Sequence, residues 1–77
     1  MKQANMALYT ISVYASTGDL IEQSKVAWMA MRNERTDRRA VRRAVLLVGA
    51  IEAASYAEVI SDPVGFRQIV AKEEKKK

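Results

Sequence analysis

Between Leu8 and Ala15 the apolar and polar positions alternate: Tyr9, Ile11, Val13 and Ala15 fall on one side, Thr10, Ser12 and Tyr14 on the other. Alternation at period two in a run rich in β-branched and aromatic residues predicts a half-buried strand. The alternative is a helix from Gln3 to Ala15, favoured by the flanking alanines and methionines and opposed by the Thr-Ile-Ser-Val centre. Met1 to Asn5 read as a loose start. After Gly18 the period changes. Asp19 and Glu22 have the spacing of a capping box, and Leu20, Ser24, Ala27 and Met31 make a helical stripe with Ile21 and Trp28 beside it. A first helix is expected from about residue 19 to about residue 33, with Trp28 and the methionines packed in a core or an interface.

The polar stretch "NERTD" separates that helix from a second, for which Thr36 or Asp37 is the expected cap. From Ala44 to Ile60 apolar residues cover nearly every side of a helical projection, with strips Leu46, Ala50, Ala53, Ala57, Ile60 and Val41, Val45, Val48, Val59. A helix apolar all round is normally central. Gly49, Ala53 and Ala57 at four-residue spacing predict close backbone approach. Asp62 before Pro63 predicts the start of a short third helix through Val64, Phe66, Ile69 and Val70, and the basic residues 72–77 a frayed tail. The expected architecture is mainly α: one small helical domain over residues 1–77, a short N-terminal strand followed by two helices and a short third, in an intertwined dimer. An all-α hairpin or bundle is the alternative.

Composition narrows the chemistry. The 77 residues include no cysteine and no histidine, which removes disulfides, the usual zinc ligands and the familiar nucleophile-base pairs. Neither an enzyme nor a cofactor is expected. Hydrophobic residues make up 49% of the chain, more than so short a core hides easily, so self-association is the expected brace. Asn5, Thr10 and Ser12 dilute a signal-peptide reading of "MALYTISVYA", and Glu52 and Glu58 interrupt the most apolar stretch, so a cytoplasmic protein without a membrane span is expected.

The net charge of +4 points to an acidic partner. Its focus is "RNERTDRRAVRR", where Arg32, Arg35, Arg38, Arg39, Arg42 and Arg43 surround Glu34 and Asp37. On a helix beginning near Asp37, Arg38 and Arg42 share a face, as do Arg39 and Arg43. Guanidinium forks pair bidentately with phosphate oxygens, and free N–H groups at a helix start add donors to the same anion. Neighbouring carboxylates, within the chain or on an acidic protein partner, are the alternative acceptors.

The order of "YTISVYA", "GDLIEQSKVAWMAM", "NERTD" and "RRAVRRAVLLVGAI" resembles the ribbon-helix-helix family of DNA-binding proteins over about residues 8–54. The resemblance implies a homodimer whose paired strands lie in the DNA major groove. Thr10, Ser12 and Tyr14 would then face the bases, Ile11 and Val13 the core, and Thr36, Asp37 and Arg38 the phosphates. The expectation is a small dimeric nucleic-acid-binding protein, a repressor or accessory factor, with Arg35, Arg39, Arg42 and Arg43 completing its phosphate contacts. A small helical protein-interaction or assembly factor that does not bind DNA is the alternative.

Overall fold

The computed structural model describes residues 6–72 and is dominated by an antiparallel sheet. Four strands, β1 (Ala7–Ala15), β2 (Leu20–Trp28), β3 (Ala54–Asp62) and β4 (Arg67–Ala71), form a sheet in the order β2-β1-β3-β4. A single helix, α1 (Glu34–Ala50), joins β2 to β3. This overturns the mainly α expectation in both its forms. The strand over Leu8–Ala15 is where the alternation put it, and the helical alternative for that segment is excluded from Ala7 onward. The proposed loose start, and the tail beyond Lys72, lie outside the described residues.

Each correction has a local cause. "STGD" closes a β-hairpin: Gly18 adopts φ +94, the Gly18 amide donates to the Ala15 carbonyl, and Thr17 Oγ1 donates to Asp19 Oδ2. Asp19 therefore shapes a turn, and the expected first helix is β2. The left-handed conformation at Gly18 is one that a β-carbon disfavours, which is why glycine stands there. The long central helix divides at Ala50, because Ala44–Ile60 is helical in its first part while the second, with Tyr56, Val59 and Ile60, fits a strand. Gly49 and Ala53 consequently lie exposed on the helix and turn, and Ala57 is buried in β3. In place of the third helix, a turn with a cis Asp62–Pro63 bond leads into β4. Ser61 Oγ organises it, accepting from the Gly65 and Phe66 amides and donating to the Pro63 carbonyl.

In the register of β1, Ala7, Tyr9, Ile11 and Val13 stand beside Trp28, Val26, Ser24 and Glu22 of β2, and Tyr9, Ile11 and Val13 beside Ser61, Val59 and Ala57 of β3. This is the face that α1 covers. Thr36, Ala40, Ala44 and Val48, four residues apart, make the buried stripe of the helix. Small residues there let the helix settle closely on Tyr9, Ile11, Val13, Val59 and Val70. Both edges of β1 are filled by strands of its own chain, so it cannot pair with a second copy's β1. The intertwined ribbon dimer is excluded for that reason.

The helix is capped by Asn33 rather than Thr36 or Asp37. Asn33 Oδ1 accepts from the Thr36 amide at 3.0 Å, and Thr36 Oγ1 accepts from the Asn33 amide at 2.9 Å. Thr36 is thus the reciprocal partner in a capping box. Near the other end, Lys72 Nζ donates to the carbonyls of Ile51 and Glu52, just past the last helical turn. None of the described helices is long and apolar enough to cross a membrane.

Candidate nucleic-acid interface

Arginine placement follows from the buried stripe. With Thr36, Ala40, Ala44 and Val48 facing the sheet, steps of about 100° per residue put Arg42 almost directly opposite them. Arg35 and Arg38 flank it, and Arg39 and Arg43 lean toward β2. All five are exposed. From Arg35 to Arg43 the row rises about 12 Å along the helix. Among the described residues the ion pairs are Arg32–Asp37 at 2.7 Å and Arg67–Glu58 at 2.6 Å, so none of these five arginines has a carboxylate partner there. Exposed guanidinium groups this close repel one another and gain from a shared anion.

Trp28, at the end of β2, sits beneath this row. The guanidinium carbon of Arg39 lies 5.2 Å from the centre of its ring, a cation–π contact. Two shallow depressions meet at Arg39. One is lined by Trp28, Arg39, Arg42, Arg43 and Leu46, the other by Ala30, Asn33, Arg35, Thr36 and Arg39. Leu46 is 67% exposed within the basic surface.

The remaining residues singled out from sequence do not join this surface. Thr10, Ser12 and Tyr14 lie on the opposite face of the sheet, away from α1. Ser12 is 6% exposed and accepts from Gln23 Nε2 at 3.0 Å, and Tyr14 stacks on Tyr56 with ring centres 5.1 Å apart. Thr36 is 4% exposed and committed to the cap. Asp37 is tied to Arg32 and to Tyr9, so it holds the helix to the sheet. The structure therefore gathers the arginines and separates them from the strand positions that the ribbon-helix-helix resemblance would have aimed at bases.

No family model, curated protein or solved structure matches this chain. The basic surface accordingly rests on geometry alone. Sequence reasoning missed two parts of it. Trp28 was placed in a helix, although Val26 and Trp28 alternate with Lys25 and Ala27 as a half-buried strand would. The role of Tyr9 had no local signal, since its partners stand 27 and 28 residues away. Among the described residues no cluster of His, Cys, Asp or Glu is of the kind that holds a metal ion.

Tyr9 fixes the helix that carries the arginines. Its hydroxyl lies 2.6 Å from Asp37 Oδ1 and 2.8 Å from Thr36 Oγ1. The one phenolic proton goes to the carboxylate, the stronger acceptor. Burial raises the Tyr9 pKa above its ordinary 10.0, and the bond to Asp37 raises it further, against a smaller lowering from Thr36. In the unfolded chain the phenol ionises near pH 10, whereas in the folded chain it keeps its proton to higher pH. The stability it contributes is therefore complete below about pH 10 and is lost as pH rises through the folded value. Urea melts between about pH 9 and 11 should show a falling midpoint, and Tyr9→Phe should flatten that fall. An equal fall in both proteins would remove Tyr9 as its source.

Proposed function

We propose that this chain binds nucleic acid through the outer face of α1, with Arg35, Arg38, Arg39, Arg42 and Arg43 contacting phosphates. The observation that carries the proposal is a row of exposed arginines with no carboxylate partner among the described residues. The net charge of +4 adds attraction at a distance. The mechanism is electrostatic: each guanidinium that neutralises a phosphate releases a condensed counterion, so affinity falls as salt rises. The role is that of a repressor or accessory factor in which backbone contacts position the protein. An acidic protein partner is the second reading, favoured by Leu46, which offers an apolar contact that phosphates do not use.

Duplex-DNA binding measured by fluorescence anisotropy across a salt series tests the proposal. If all five arginines engage, log affinity should fall against log salt with a slope of about 4 to 5. Absence of binding at low salt would remove the nucleic-acid reading and leave the acidic partner. Leu46→Ser should leave the DNA affinity within about twofold, because a phosphate contact gains little from an apolar neighbour.

A further inference from the structure

The helix packs over β1, β3 and β4 and leaves β2 largely uncovered. β2 is nine residues long and forms one outer edge of the sheet; β4 forms the other with five. A long edge offers a row of unpaired backbone donors and acceptors, and proteins usually guard such an edge with proline, bulges or several charges. β2 has no proline, a single irregularity near Leu20, and only Glu22 and Lys25 as charged residues. Its first two residues, Leu20 and Ile21, are exposed. Glu22 stands on the face that α1 partly covers, without an ion-pair partner among the described residues, and Arg39 and Arg43 lean toward that side from above.

We propose that β2 pairs antiparallel with the β2 of a second copy, about a two-fold axis at Ser24, to give one eight-stranded sheet. A two-fold axis perpendicular to the sheet keeps like faces together and sets the register. Gln23 opposes the second copy's Lys25, and Glu22 opposes the second copy's Val26. An axis at Lys25 would instead set two ammonium groups against each other. With the axis at Ser24, each Glu22 lies diagonal to the other copy's Trp28 and so approaches the Arg39 that covers it. The charges are complementary: an unpaired acid on the edge meets an unpaired arginine above it, twice. Both helices stand on the same side of the joined sheet, about 24 Å apart from axis to axis if each lies over its β3, at five strand spacings. Arg39 and Arg43 of each copy then face one another across a groove floored by the two β2 strands. The pairing does not depend on the nucleic-acid reading.

The test uses the protein without nucleic acid. Sedimentation of the native chain should give twice the mass of the 8.6 kDa polypeptide. Directly opposed residues in antiparallel strands have Cα atoms about 4.5–5.5 Å apart, within disulfide reach. In a chain free of cysteine, Ser24→Cys should therefore cross-link two copies under mild oxidation, while Gln68→Cys on β4 should not. Glu22→Arg and Arg39→Glu should each weaken self-association at least tenfold, and the double variant should recover it, with circular dichroism verifying the fold of each. A single-chain mass at about 0.1 mM, cross-linking no faster at Ser24 than at Gln68, or a double variant no tighter than the singles would overturn the proposal.

Discussion

Changing Arg38, Arg39, Arg42 and Arg43 together to glutamine should reduce the salt slope of DNA binding from about 4 to 5 down to about 1. The arithmetic is that of counterion release at about 0.9 per neutralised phosphate, with Arg35 alone remaining of the five exposed arginines. Between about 50 and 200 mM salt the native chain should then lose roughly 500-fold in affinity and the variant only about threefold. At low salt, where the native contacts are strongest, the variant should bind at least about 100-fold more weakly. The fold should be unaffected, because the four side chains lie outside the buried stripe and glutamine is nearly as good a helix former as arginine. The Arg39 contact with Trp28 is lost in this variant, at a cost of about 0.5–1 kcal/mol for an exposed site. Parallel slopes for the two proteins would show that this face does not meet DNA. Since Arg32 is held by Asp37, changing it should act through stability and leave the slope nearly intact.

The legible and illegible parts of this chain divide by the range of the interactions concerned. The alternation from Tyr9 to Val13 is a local signal, and it reports β1 correctly because that strand keeps Tyr9, Ile11 and Val13 on the core and leaves Leu8, Thr10 and Tyr14 at least partly exposed on the other face. The arginine cluster is local too, and one helix does carry it. What misled was ambiguity within windows. In "GDLIEQ" the Asp-x-x-Glu spacing fits a cap, but Thr17-Gly18 fits a hairpin turn equally well, and the hairpin wins because β1 supplies a ready partner for β2. In Ala44–Ile60 apolar density on all sides concealed a change of period at Ala50, since the exposed Val45 and Leu46 of the helix are as apolar as the buried Ala44 and Val48. Reading β2, β3 and β4 as helices cost the fold class. It also misplaced Thr10, Ser12 and Tyr14, for a strand in mid-sheet has no edge to offer DNA or a second chain. The Trp28–Arg39 contact joins β2 to α1 across the fold, so no window of sequence displays it.

Tyr9→Ala should leave little folded protein at room temperature, whereas Tyr9→Phe should fold with a lowered melting point. Tyr9 is 1% exposed and central to the aromatic cluster, edge-on to Trp28 at 5.7 Å and to Phe66 at 6.4 Å. Emptying such a site costs about 3–5 kcal/mol. Losing the hydroxyl's bond to the Asp37 carboxylate costs about 1.5–3 kcal/mol more. A chain of this length has about 4–12 kcal/mol in total, so the sum approaches the whole stability. Phenylalanine preserves the packing and removes only the polar part, which should lower the melting point by about 6–20 °C. Thermal melts followed by circular dichroism decide between the two terms. A double-mutant cycle of Tyr9→Phe with Asp37→Asn isolates the bond itself: the pair should cost less than the sum of the single changes, and strict additivity would mean that the hydroxyl and the carboxylate do not interact. Because Asp37 also holds Arg32, its own change should be the costlier of the two. Where Tyr9→Phe is still folded, its DNA affinity should match the native protein's, for the latch positions the arginine face without forming part of it. A loss of binding in the folded variant would place Tyr9 and Asp37 in the interface itself.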